Sequence, residues 1–242
     1  MKRKSGSNFY NWVDRFARMF PSPFLRIFSM PVNYQINSRD GLVYESARMI
    51  NIAFAFCMNN KIQGDYAEFG VYQGRTTVEA YRTARRYGFA KIKFWIFDSF
   101  VGLPDIKGKD AGGPFVEGEF ACSRRDFENN LRYFGADLSR FEIAEGFYDK
   151  TLPNFSREPD KIAIAWIDCD LYESTVPVLD FLTDRLVNGA LLIFDDWFCF
   201  DGGVQKGEQL ACADWLRNNP DIKLIEYHKF HWAGNSFIVN RA

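Results

Sequence analysis

From Asp65 onward, short apolar runs alternate with amphipathic stretches, and this alternation constrains the fold more than any other feature of the chain. Residues 66–71, 94–97, 141–144, 162–167, 191–194, 223–227 and 236–239 read as strands. Residues 76–87, 125–134, 174–187 and 207–218 carry helical periodicity between most of them. Parallel neighbours need a crossover connection, and a helix is the usual one. The pattern therefore predicts an α/β, Rossmann-like architecture: a mainly parallel seven-stranded sheet covered on both faces by helices. No helical stretch separates the last two runs, so they are expected to pair antiparallel.

The first sixty residues follow a different rule. Phe9, Trp12, Val13, Phe16, Met19 and Phe20 recur at helical spacing until Pro21 and Pro23 break the pattern. A second helix is expected over 42–59, with Ser38 or Asp40 as its cap. We read 1–60 as a helical annex or lid and 61–242 as the ligand-binding domain. The alternative for the annex is a basic, Phe-rich helix resting on a membrane surface or forming a contact between copies of the chain. Membrane contact is expected, if anywhere, only through residues 1–30, and homo-oligomerisation stays open.

Composition narrows the function. Thirty Lys and Arg against thirty-one Asp and Glu leave no basic footprint for a nucleic-acid groove. The five cysteines are odd in number and contain no C-x-x-C pair, against both a disulfide framework and a zinc site. The apolar run 52–58 is far shorter than the roughly 20 residues that span a bilayer. The start Lys2-Arg3-Lys4 leads into polar residues and not into a secretory apolar region. A cytoplasmic protein is the expectation.

Three strand ends carry the candidate chemistry, because open α/β sheets bind ligands outside the carboxyl ends of their strands. The first is Glu68-Phe69-Gly70-Val71-Tyr72-Gln73-Gly74-Arg75-Thr76, a strand–turn–helix junction. Gly70 and Gly74 permit a tight turn and close backbone approach. Tyr72 stands where a dinucleotide fingerprint has its second glycine, so a pyrophosphate would be obstructed. Glu68 suits a cationic ligand better than a polyphosphate. The second is Asp98-Ser99 at the next strand end, where an acid accepts hydrogen bonds from ribose hydroxyls. Asp-Ser is also ordinary turn chemistry. The third is Asp168 at one strand end with Asp195 and Asp196 at the next. Converging carboxylates repel unless a cation neutralises them, and an all-oxygen set suits Mg²⁺ or a similar hard ion. Helix capping is the competing role for such aspartates.

The loop 101–121 is long and rich in Gly, and such loops commonly serve as lids. Glu117 and Glu119 lie in it, and Glu119 is the candidate general base that could descend over a metal; a solvated loop carboxylate is the plainer alternative. His228 and His231 sit near the final hairpin without a motif partner.

Glu68-x-Gly70-x-Tyr72-x-Gly74 resembles the cofactor turn of catechol O-methyltransferase and its metal-dependent relatives. Taken with Asp98-Ser99-Phe100-Val101-Gly102-Leu103-Pro104, Glu145-Gly146-Phe147-Tyr148, Asp168-Cys169-Asp170-Leu171-Tyr172-Glu173-Ser174-Thr175 and Asp195-Asp196, the ordered set is more similar to the macrocin O-methyltransferase family, over about residues 64–240. That resemblance implies a class I methyltransferase domain that uses S-adenosyl-L-methionine. It implies that Glu68, Gly70, Val71, Tyr72, Gly74 and Thr76 form the methionine end of the site and that Asp98 and Ser99 hold the ribose. Phe147 and Tyr148 would border the adenine, and Asp168, Asp195 and Asp196 would bind the metal, with Asp168 facing cofactor and acceptor alike. Leu171 departs from catechol-type enzymes, which carry a lysine base there. The expected reaction is methyl transfer to a sugar hydroxyl or other vicinal diol of a small molecule. A non-catalytic nucleotide-sugar binding module is the rival, and an NAD-dependent oxidoreductase is disfavoured by Tyr72.

Overall fold

The computed structural model describes residues 42–155, 159 and 161–241, so the predicted 9–20 helix and the proposed caps Ser38 and Asp40 lie outside the described residues. The described elements run α1 (Leu42–Asn60), β1 (Asp65–Phe69), α2 (Arg75–Arg86), β2 (Phe94–Asp98), α3 (Arg124–Tyr133), β3 (Phe141–Glu145), α4 (Tyr148–Thr151), β4 (Ile162–Ile167), α5 (Tyr172–Leu182), β5 (Leu186–Phe194), α6 (Gly207–Asn218), β6 (Ile222–Phe230) and β7 (Gly234–Arg241). The seven strands form one sheet in the order β3-β2-β1-β4-β5-β7-β6. The first five are parallel, whereas β7 pairs antiparallel with both β5 and β6. This is the expected mixed sheet with its antiparallel final hairpin.

The central strand β4, Ile-Ala-Ile-Ala-Trp-Ile, is buried at every position because helices cover both faces of the sheet. Two hydrophobic clusters result. Alternation in β1 sends Tyr66 to the first, with Phe54 of α1, Phe94 and Trp166, and sends Ala67 and Phe69 to the second, with Phe97, Phe181 and Phe194. In the second, Phe69 and Phe97 stack at 4.9 Å and both meet Phe181 edge-on. Helix α1 places Met49, Ile50, Ala53, Phe54 and Cys57 in the first cluster.

One helix boundary differs from the sequence reading. The 174–187 stretch ends as helix at Leu182, and Leu186 and Val187 belong to β5, where Leu186 pairs with Ile162. The β4–β5 ladder draws these apolar residues out of the helix, and the register shift near Gly189 lengthens the strand. Among the described residues no helix is long and apolar enough to cross a membrane.

Candidate active site

The turn after β1 is fixed by close backbone packing. Gly70 has φ 86°, and a side-chain carbon there would fall 1.9 Å from the carbonyl oxygen of Asp168. Only glycine allows β1 and β4 to end so close together. Gly74, φ 82°, similarly leaves room for the Phe127 ring of α3, which a side-chain carbon would approach to 2.8 Å. Between them Tyr72 adopts a left-handed conformation (φ 42°) and stands 44% exposed, its ring meeting that of Phe120 at 6.0 Å. A bulky residue held there costs of order 1–3 kcal/mol and is characteristic of ligand-facing turns.

The acids of this half bind the protein itself. Glu68, fully buried, accepts the Tyr66 hydroxyl at 2.9 Å and the Thr76 hydroxyl. Burial pushes its pKa up to about 7, against the opposing effect of those donors, and Asp195 adds to the rise. Thr76 lies in the first turn of α2, so this contact ties the strand to the helix across the turn. Asp98 accepts the Val71 N–H at 2.7 Å through one oxygen and the Phe100 N–H at 2.6 Å through the other. Burial raises its pKa despite these backbone donors. Ser99 stabilises the following turn, donating to the Gly102 carbonyl and accepting the Val101 N–H. Phe147, at the start of α4, is 38% exposed. Tyr148 turns inward against Phe69, with its hydroxyl 3.4 Å from the Phe97 carbonyl oxygen.

At the ends of β4 and β5 the structure brings together the three predicted metal ligands. Asp168, Asp195 and Asp196 each offer one carboxylate oxygen, and these lie within 4.8 Å of one another. Two acids outside the predicted ligand set crowd the same place: Asp170, 6% exposed, and Glu208, 1% exposed. Burial and mutual repulsion push Asp168, Asp170 and Glu208 well above the usual carboxylate range, and Asp196 to about 6. Glu208 bridges the two strand ends by accepting the Cys169 N–H at 3.4 Å and the Asp196 N–H at 3.0 Å. The Cys199 thiol sits 2.8 Å from Asp196, its pKa pushed up by burial and by that carboxylate. It is therefore a neutral hydrogen-bond donor and not a soft metal ligand.

His231, read from sequence as a histidine without a partner, has a defined one. Its Nδ1 accepts the N–H groups of Ala233 and Gly234 at 3.0 and 3.2 Å, which places the proton on Nε2. Nε2 lies 3.3 Å from Asp195 Oδ1 and donates to it. Glu119 is not part of the acidic cluster: it is exposed, and its carboxylate accepts the Val116 N–H of its own loop. Leu171 is buried, 3% exposed, where a catechol-type lysine would stand.

Residues 44–224, well over half of the chain, match the family described as Macrocin-O-methyltransferase (TylF). The protein belongs to this family. Outside the family comparison, it is similar to the 8-demethyl-8-(2,3-dimethoxy-alpha-L-rhamnosyl)-tetracenomycin-C 4'-O-methyltransferase of Streptomyces olivaceus, 29% identical over 56% of this chain and 54% of that one. A second relative is demethyldecarbamoylnovobiocin O-methyltransferase of Streptomyces niveus, 29% identical over 66% and 64% of the two chains. The family member described here thus spans about half to two thirds of the length of these relatives. Its fold is shared with the crystal structure of CalS11, calicheamicin methyltransferase, at a TM-score of 0.69 and 21% identity over 98% of this chain and 94% of that one.

What the sequence reading missed in this family member follows from topology. Glu208 enters from a helix start, and His231 from the antiparallel hairpin after Asp196, so neither lies at the carboxyl end of a parallel strand. Asp170 stands in the Asp168-Cys169-Asp170 run without a metal role in the sequence reading; its left-handed backbone, φ 58°, accompanies its place in the cluster.

Proposed function

We propose that the protein is an S-adenosylmethionine-dependent O-methyltransferase acting on a hydroxyl of a sugar or other vicinal diol, assisted by a hard divalent cation. The observation that carries this reading is the contact between the two half-sites: the Asp168 carbonyl lies against Gly70, so the cofactor turn and the acidic cluster share a wall. The relatives named as methyltransferases of rhamnosyl and novobiocin compounds support a sugar-bearing acceptor.

The donor set fits a cation. Three carboxylates converge without a Lys or Arg ion-pair partner among the described residues, and burial and neighbouring charge raise the pKa of Asp168 and Asp196, a cost that a cation would relieve. Oxygen ligation points to Mg²⁺ or a similar ion held by Asp168, Asp195 and Asp196. Such an ion would acidify an acceptor hydroxyl and orient a vicinal pair. The chain's own residues do the rest. Tyr72 and the Gly70–Gly74 backbone shape the methionine end, Glu68 holds that turn to α2, and Asp98 offers its remaining lone pairs to ribose hydroxyls. Phe147 supplies an exposed ring for the adenine. For the proton, the buried Asp170 beside Asp196 is better placed than exposed Glu119, whose carboxylate is held by the Val116 N–H of its own loop. Near-attack positioning then accounts for much of the rate.

Calorimetric titration with S-adenosylhomocysteine and with NAD, each with and without Mg²⁺, tests the cofactor assignment directly. S-adenosylhomocysteine should bind and NAD should not. Methyl-labelled S-adenosylmethionine, offered with a panel of glycosides bearing vicinal diols, then tests transfer. Preference for NAD, or for a nucleotide sugar without any transfer, would replace this reading by a dehydrogenase or a binding module.

A further inference from the structure

Asp110 is the one acid of the 101–121 loop that the fold buries, at 2% exposed. It ends a short 3₁₀ turn, Gly108–Asp110, and its two oxygens go to two different helices. Oδ2 accepts the N–H of Tyr172, the first residue of α5, at 2.5 Å, and Oδ1 accepts the N–H of Gly207, the first residue of α6, at 2.9 Å. Neither helix carries a cap of its own: Leu171 and Lys206 occupy the capping positions without a side-chain hydrogen bond. Helix starts leave N–H groups unpaired and carry the positive end of the helix dipole, so both favour an anion. One carboxylate from a distant loop satisfies the two together.

These helix starts are also where the acidic cluster is built. Asp170 stands two residues before Tyr172, and Glu208 follows Gly207 directly. Glu208 in turn holds the backbone of Cys169 and of Asp196. The other end of the loop lies at the cofactor turn. Its neck is closed by Gly118 N–H on the Leu103 carbonyl and Leu103 N–H on the Glu119 carbonyl, at 2.9 and 3.0 Å, and Phe120 meets Tyr72. The loop is therefore a strap, seated at its neck on the cofactor half and at its tip on the acidic half.

We propose that Asp110 is a positioning residue: by capping α5 and α6 in trans it sets the spacing of the strand-end segments that carry Asp168, Asp170, Asp196 and Glu208. What the cluster binds rests on the function proposed above; the positioning role does not. The test uses the full chain with Asp110→Ala and Asp110→Asn, the second keeping one acceptor oxygen in case the first fails to fold. Hydrogen exchange of the Cys169 and Asp196 amides should quicken about tenfold or more in Asp110→Ala, with β1 and β2 amides unchanged. Mn²⁺ affinity, read by electron paramagnetic resonance, should fall about fivefold or more. S-adenosylhomocysteine affinity should stay within about twofold. Unchanged Cys169 and Asp196 exchange overturns the proposal. So does faster exchange spread equally over β1 and β2, which marks a general loss of stability. A wild-type protein that fails to bind Mn²⁺ sinks the cation reading alone, and the amide exchange still decides the role of Asp110.

Discussion

At the ends of β1 and β2 the carboxylates face neutral donors; at the ends of β4 and β5 they face one another. Glu68 receives two hydroxyls and Asp98 two backbone N–H groups, so this half is hydrogen-bonded without any ligand. Burial and neighbouring charge raise the pKa of Asp168, Asp170, Asp196 and Glu208, and among the described residues the donors to this cluster include His231 on Asp195, Cys199 on Asp196 and two backbone N–H groups on Glu208. Both halves grow from the same kind of residue at the same edge of one sheet. The difference lies in what surrounds the acids: one half is satisfied by the protein's own donors, and the other is where the proposed cation would supply the missing positive charge.

The largest expected effect breaks the comparison on its acidic side. Asp195→Asn removes one ligand charge with little change of shape. Methyl transfer should fall about 1,000-fold, corresponding to several kcal/mol of transition-state stabilisation. S-adenosylhomocysteine affinity, measured by calorimetry, should change by less than about threefold. A chelator should reproduce that split in the unmodified protein. Full transfer in a metal-stripped sample would remove the cation from the mechanism; helix capping does not replace it as a role, since Leu171 and Lys206 hold the capping positions of α5 and α6.

A smaller effect comes from His231. Asn at this position tolerates the left-handed backbone, φ 35°, and can keep an acceptor for the Ala233 and Gly234 N–H groups, but it cannot reach Asp195. His231→Asn should weaken Mn²⁺ binding about 10–100-fold, the usual range for a lost partner of a metal ligand. Equal Mn²⁺ affinity would show that Asp195 is oriented by the backbone alone.

On the other side, Asp98→Ala should weaken S-adenosylhomocysteine by about 1.5–3 kcal/mol, the range for hydrogen bonds to a charged group. Mn²⁺ affinity should hardly move. Because Asp98 also receives the Val71 and Phe100 N–H groups, the variant should lose about 1–3 kcal/mol of stability from those unpaired donors. Affinity unchanged in a destabilised variant would make Asp98 a turn-fixing residue only.

The sequence made the sheet legible because buried parallel strands are near-continuous apolar runs, as in Ile162–Ile167, and because strand ends are where acids were sought. It made Asp168, Asp195 and Asp196 legible for the same reason. Glu208, His231 and Asp110 were not legible, since each reaches an acid-bearing strand end or helix start from a different element, and nothing local marks that contact. The end of α5 differs from its sequence pattern because Leu186 and Val187 satisfy helical periodicity, and only pairing with β4 draws them into a strand. Short-range pattern reports what a residue offers; long-range partners decide which offer is taken.

The smallest effect sharpens the comparison through pH. Glu68 has a folded-state pKa of about 7, above its ordinary value of 4.5, because burial penalises its charged form. The folded protein therefore holds this proton longer than the unfolded chain. Its contribution to stability is fully present below about pH 4.5 and is lost as pH rises through about 7, a change of the order of 3 kcal/mol. Glu68→Gln should flatten that part of the stability profile, read from chemical denaturation at a series of pH values. A cationic ligand adds a second, opposite dependence: it favours the ionised form, so binding should release a proton. Affinity for S-adenosylhomocysteine, whose ammonium remains, should then rise about tenfold between pH 6 and pH 8. In Glu68→Gln the slope should vanish, while the one remaining amide oxygen still accepts one of the Tyr66 and Thr76 hydroxyls. Acids of the other half also titrate, so the slope must persist in Asp195→Asn to belong to Glu68. If it disappears there and survives in Glu68→Gln, the proton comes from the acidic cluster, and the cofactor turn is held by shape rather than charge.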